Sequence, residues 1–253
     1  MTLYLIGLGL GDQKDITLNG LDAIKKCSDV YLENYTAILD CSVQELETLY
    51  LKKIILATRD IVESKAEETI LKDAKTKDVA LLVVGDPLSA TTHLDLVLRA
   101  KKLEIPVRII HNSSITSAIA ETGLQIYKFG PAASIPFSDE KFKPETPYNI
   151  IKENLVRGLH TLVLLDLKPL EKKFMTISNA LNYLVEIESK RKENVIGKNT
   201  LVIGCARIGS KNQLIKAAKL NEILQFDFGA PLHCIVIPGK MHFMEEEAIA
   251  QFF

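Results

Sequence analysis

The chain has 253 residues, of which 47% are apolar and 25% charged, a balance that suits a globular protein and excludes a disordered one. Its length is enough for one large core or two modest ones, and two domains is the better expectation. Lysine and arginine number 31 against 32 acidic residues, and no basic block is present, so a nucleic acid is not the expected partner.

Apolar runs such as Leu81 to Val84 and Thr161 to Leu165 fall far short of the roughly 20 residues that span a bilayer, so no membrane segment is expected. Met1 to Ile6 runs into glycines without a basic leader or a cleavage-site pattern, which reads as a cytoplasmic protein. Cys27, Cys41, Cys205 and Cys234 are scattered without C-x-x-C spacing, so core thiols are expected rather than a metal site or a disulfide framework.

In chain order, short β-rich runs alternate with amphipathic stretches: Leu3 to Ile6, Val30 to Leu32, Ile54 to Ala57, Ala80 to Val84 and Val107 to Ile110. That alternation predicts a mostly parallel sheet covered by helices. Thr17 is placed to cap a helix running to Lys26, and Leu94, Val97 and Leu98 form an apolar stripe ending in Lys101 and Lys102. Around Gly130-Pro131-Ala132-Ala133-Ser134 the alternation pauses, which sets a domain boundary near Gly130. The second half then predicts a helix over Tyr148 to Arg157, a strand over Thr161 to Asp166 and a helix over Thr176 to Lys192. Strands over Thr200 to Cys205 and His233 to Ile237 complete a second α/β unit. The domains expected are thus 1–130 and 131–253.

Ligands gather at the carboxyl ends of strands in such sheets, where glycine lets the backbone approach them. Three turns stand there. Gly7-Leu8-Gly9-Leu10-Gly11-Asp12 follows the first strand, and Asp12 breaks the G-x-G-x-x-G spacing, which argues against a nicotinamide dehydrogenase. Gly85-Asp86-Pro87 follows the fourth, with Ser89, Thr91, Thr92 and His93 next. His111-Asn112-Ser113-Ser114-Ile115 follows the fifth. Each alone reads as a helix cap, but three polar turns at one rim point to a ligand.

These turns, in this order, resemble the tetrapyrrole-methylase superfamily. The longer strings Gly85 to His93, Gly123 to Gly130, Gly158 to Leu162, Leu165 to Lys168 and Pro238 to His242 resemble its diphthine-synthase branch. The resemblance covers nearly the whole chain. Departures are Ser89, where an apolar residue is usual, and the polar pair Asn112-Ser113.

The resemblance implies two α/β domains with a cofactor cleft between them, and transfer of a methyl group from S-adenosylmethionine, leaving S-adenosylhomocysteine, without a metal. The implied acceptor is the aminocarboxypropyl-modified histidine of translation elongation factor 2, in diphthamide biosynthesis. The implied cofactor contacts are Leu10, Asp86, Ser89, Ser114, Ile115, Leu165, Ile208 and His233. A homodimer is also implied. Archaeal members methylate only the amine while eukaryotic members also methylate a carboxylate; the latter tend to be longer, so this length favours the archaeal product.

An amine must lose its proton before it attacks, so a base or a water path is needed, and His93, His160 and His233 are the titratable candidates. For each, a structural role is at least as good a reading. Two rival functions stay in view: a C-methyltransferase of tetrapyrroles or corrinoids, and a non-catalytic protein-binding module that has kept the fold.

Overall fold

The computed structural model describes residues 1–138 and 143–253. The chain packs as two compact units, one of Met1–Ala118 with Gly209–Lys211, the other of Ile119–Ile208 with Asn212–Phe253. The change of unit after Ala118 precedes the composition break at Gly130. Turns within Ile119–Lys128 are held inside the second unit, where Gln125 N–H donates to Glu245 Oε1 at 2.9 Å.

The first unit is built from β1 (Leu3–Gly7), α1 (Leu18–Lys26), β2 (Asp29–Glu33), α2 (Val43–Tyr50), β3 (Ile54–Ala57), α3 (Ile70–Ala74), β4 (Val79–Val83), α4 (Leu94–Lys102), β5 (Val107–Ile110) and α5 (Ile115–Ala118). Its five strands are all parallel, in the order β3-β2-β4-β1-β5. Alternation along each strand divides the core. Leu3, Leu5, Leu81 and Val83 pack with Ile70, Leu71, Leu96 and Val97 of α3 and α4. Tyr4, Ile6, Ala80 and Leu82 pack on the other face with Ile24 of α1 and with Leu46 and Tyr50 of α2. Thr17 caps α1 by accepting Gly20 N–H at 3.0 Å, as its sequence position predicts.

The second unit contains β6 (Ala133–Ile135), α6 (Thr146–Val156), β7 (Thr161–Leu165), β8 (Leu167–Lys168), β9 (Lys173–Phe174), α7 (Ile177–Arg191), β10 (Leu201–Ala206), β11 (Leu214–Lys219), α8 (Leu220–Ile223), β12 (His233–Ile237) and α9 (Phe243–Ala250). Its main sheet has the order β11-β10-β12-β7-β6 and is antiparallel except for the pair β6–β7. β11 escapes the sequence reading because Leu214-Ile215-Lys216-Ala217-Ala218-Lys219 is made of good helix formers; six-residue pairing with β10 overrides that preference. Cys27, Cys205 and Cys234 are buried free thiols, and burial pushes Cys27 up to about 12, where it is inert. Among the described residues no helix is long and apolar enough to cross a membrane.

Residues of three distinctive strings, Gly123 to Gly130, Gly158 to Leu162 and Pro238 to His242, meet around Glu245 in one buried knot of the second unit. Glu245, on α9 and 1% exposed, accepts from Gln125 N–H and His160 Nε2 through Oε1, and from Lys128 Nζ and His242 N–H through Oε2. His160 in turn accepts Gly239 N–H on Nδ1 at 2.9 Å. Burial alone would push the Glu245 carboxyl up, but the donors from Lys128, Gln125, His242 and His160 outweigh it and bring it down to about 2. Because the folded carboxyl titrates below its ordinary value of 4.5, its stabilisation is present above that pH and fades as pH falls towards about 2. Glu245→Ala is therefore expected to cost about 3 kcal/mol in urea denaturation at neutral pH, since it strands Lys128 and three further donors. The deficit relative to wild type should shrink over that acid interval.

Candidate functional site

Because β1 lies between β4 and β5, the three turns that follow these strands share one rim of the first sheet. They are bonded to one another. Gly9 and Gly85 exchange backbone hydrogen bonds, at 3.3 Å from Gly9 N–H and 2.7 Å from Gly85 N–H, and both glycines sit at φ +78°. That left-handed conformation disfavours any side chain, and a Cβ on Gly9 would also stand 2.7 Å from Asp15 Cβ.

Asp86 is 9% exposed and joins the second turn to the third. Its Oδ1 accepts Leu88 N–H at 2.9 Å, while Oδ2 accepts Asn112 N–H at 3.2 Å and His111 Nδ1–H at 2.7 Å. Burial by itself would raise its pKa; the bonds from Leu88, His111 and Asn112 prevail and hold the carboxyl below its usual range. Asn112 extends the tie to the first turn, its Nδ2 donating at 3.0 Å to both the Gly7 and Asp15 carbonyls. Asp15 Oδ2 accepts Gly11 N–H, which closes the loop around Leu10. The hydroxyls of Ser89, Ser114 and Thr116 form a ring with oxygen separations of 2.6–2.9 Å.

The structure thus brings Leu10, Asp86, Ser89, Ser114 and Ile115 to this rim. Leu165, Ile208 and His233 belong to the second unit, where they gather at one end of its sheet: Leu165 ends β7, His233 opens β12, and Ile208 follows β10. Leu165 is part of that unit's core and Ile208 is also buried. His233 Nε2 donates to the Ala230 carbonyl at 3.0 Å, leaving Nδ1 a buried acceptor without a partner among the described residues, and burial holds the ring's pKa down.

Sequence reasoning did not single out His111, Asn112, Asp15 or Thr116 as site residues. The hydroxyl-rich turn was visible, but the ties from Asn112 to Gly7 and Asp15 span about a hundred positions and leave no local pattern. As a candidate base, His160 has both ring nitrogens engaged in the knot of the second unit. His93, 1% exposed, has Nδ1 bonded to the Pro87 carbonyl at 3.0 Å.

Comparison with known proteins is consistent along the whole chain. A model of the tetrapyrrole (corrin/porphyrin) methylases matches residues 2–224. A diphthine methyl ester synthase of Dictyostelium discoideum is 48% identical over 269 residues, covering 100% of this chain and 98% of that protein. A diphthine synthase of Methanocaldococcus jannaschii is 48% identical over 250 residues, covering 98% and 97%. A solved structure from Entamoeba histolytica superposes with a TM-score of 0.92 at 45% identity, covering 99% and 98% of the two chains. Since the chain spans almost all of a methyl ester synthase as well as of a diphthine synthase, its length does not separate the two products.

Two substitutions probe the rim. Asp86→Ala removes the acceptor of three hydrogen bonds and should weaken S-adenosylmethionine binding about tenfold in calorimetry, roughly 1.4 kcal/mol. Gly9→Val should abolish binding, since neither the positive φ nor the contact with Asp15 admits a branched side chain.

Proposed function

The chain belongs to the tetrapyrrole (corrin/porphyrin) methylase family and, within it, to the diphthine synthases, S-adenosylmethionine-dependent methyltransferases; from that premise we propose that it methylates the aminocarboxypropyl-modified histidine of translation elongation factor 2 in diphthamide biosynthesis. The observation that carries the site assignment is the bonded rim of three turns, with glycine at positive φ on two of them.

The residues suit the cofactor. Leu10 and Ile115 offer apolar surface beside the glycine turns, while Ser89 and Ser114 offer hydroxyls, and Asp86 keeps both turns in register. In the second unit, the unpartnered Nδ1 of His233 is an acceptor suited to an amino or hydroxyl donor of the cofactor. For Leu165 and Ile208 the assignment as cofactor contacts rests on the family resemblance. So do the homodimer and the cytoplasmic setting that belong to this reading.

S-adenosylmethionine supplies an activated methyl group on a sulfonium, so the protein's part is to align donor and nucleophile. The acceptor amine must shed a proton before each transfer, and His160, with both ring nitrogens bonded inside the protein, does not take it. His93 is likewise buried and committed to Pro87. In this reading the proton leaves through water, which serves as well because the amine is in exchange with solvent before it is bound.

The reading predicts selectivity. A site built for the modified histidine leaves polar groups unpaired when the aminocarboxypropyl group is missing, and remote contacts with the factor help to position the amine. Given labelled cofactor, the enzyme should methylate modified elongation factor 2, while the unmodified factor and a free amino acid react very slowly. Equal labelling of all three would refute the assignment, and transfer to uroporphyrinogen would favour the tetrapyrrole alternative. Mass spectrometry of the factor counts the methyl groups and separates diphthine from its methyl ester.

A further inference from the structure

Beneath the Gly85-Asp86-Pro87 turn the first unit buries a second polar cluster. His93 precedes α4, and because its Nδ1 lies 3.0 Å from the Pro87 carbonyl oxygen, that nitrogen carries the hydrogen. In the neutral ring Nε2 is then a bare acceptor. It faces Glu33 Oε2 at 3.9 Å, too far for a direct hydrogen bond. Glu33 ends β2, is 3% exposed, and satisfies its other oxygen by accepting Thr36 N–H at 2.8 Å.

Among the described residues, Glu33 Oε2, His93 Nε2 and the hydroxyl of neighbouring Tyr35 are buried without a hydrogen-bond partner. Such orphans are rare in folded proteins, and each costs about 1–3 kcal/mol if left unmet. Two acceptors 3.9 Å apart call for one group that donates in two directions. A cavity of about 130 Å³, lined by Val62, Glu63, Thr92, Leu96 and Arg99 among others but not by Glu33, reaches the same histidine and brings space for water up to its ring.

We infer that an ordered water donates to both Glu33 Oε2 and His93 Nε2, and that Glu33, by fixing that water, keeps the His93 ring seated with its Nδ1–H on the Pro87 carbonyl. The Pro87 carbonyl takes a second bond from Thr91 Oγ1 at 2.8 Å, so His93 and Thr91 together fix the turn that carries Asp86. Glu33 and His93 are therefore positioning residues for S-adenosylmethionine binding. This rests on the reading of that turn as part of the cofactor site.

The test uses the full-length chain labelled with ¹⁵N. Long-range correlations should show His93 protonated at Nδ1, and crystals of the wild-type protein should show a water between the two side chains. Glu33→Gln keeps a polar group that can donate towards Nε2, and should retain the tautomer and bind the cofactor within about twofold of wild type. Glu33→Leu removes that partner. Its Kd for S-adenosylmethionine should rise about tenfold, with the KM for modified elongation factor 2 unchanged. Protonation of His93 at Nε2, alone or together with Nδ1, would overturn the inference, as would an absent water. So would a folded Glu33→Leu protein of unchanged cofactor affinity, or equal losses in both variants. If Glu33→Leu does not fold, the tautomer, the water and Glu33→Gln still decide it. Failure of the wild-type protein to bind the cofactor would refute the functional reading instead, while leaving the tautomer and the water to be judged separately.

Discussion

A carboxylate taken almost out of water must be met by donors, and the way Asp86 meets that demand organises the rim of the first unit. One oxygen takes a donor from its own turn and the other takes two from the turn after β5. Fixing His111 and Asn112 in this way aims the Asn112 amide at the carbonyls of Gly7 and Asp15, which ties in the first turn. The arrangement is possible only because the sheet places β1 between β4 and β5. Strand order is thus the precondition, and the buried charge is the fastening.

The strands of the first unit were legible because each is a compact β-branched or leucine-rich run ended by glycine or a polar cluster. Ile54–Ala57 and Val107–Ile110 fall where the sequence reading sets them, and the ends of the other three differ by only a residue at either terminus. Patterning speaks less clearly in the second unit. β6 is a three-residue strand of Ala133-Ser134-Ile135, with too little alternation to register, and β11 has the composition of a helix. In both cases the neighbouring strand supplies the reason for extension, β7 well along the chain for β6 and β10 across a hairpin for β11, and such pairing is what local composition does not show. The candidate site divides in the same way: Asp86, Ser89 and Ser114 stand at visible turns, whereas the significance of Asn112 depends on residues near the opposite end of the unit's sequence.

The strings that carry the family resemblance do two different jobs. Gly7 to Asp12, Gly85 to His93 and Asn112 to Ile115 build the rim. By contrast, Gly123 to Gly130, Gly158 to Leu162 and Pro238 to His242 come together around Glu245 and His160, where Phe129 also packs edge-on against the His160 ring. Both oxygens of the Glu245 carboxylate and both ring nitrogens of His160 are matched inside the protein. A family signature can therefore be scaffold, and the histidine within it is a strut whose two nitrogens are already committed.

The same distinction bears on the chemistry. An enzyme that must create a nucleophile displays an activated side chain beside a base; at the rim of the first unit the exposed His111 imidazole is oriented by Asp86 through Nδ1, and the hydroxyls and the carboxylate are engaged with one another or with backbone. The rim's carboxylate is held by three hydrogen bonds, its hydroxyls bond to one another, and its buried histidine is bonded to the Pro87 carbonyl. Groups so thoroughly occupied cannot take part in proton transfer without dismantling the turn that holds them. They are well suited to keeping glycine-lined backbone in one conformation, which is what alignment of an already reactive sulfonium with an amine requires. On the proposed reading, the density of internal hydrogen bonds at the rim contributes by stiffening the place where the methyl donor would lie, and leaves bond-making to the reactants.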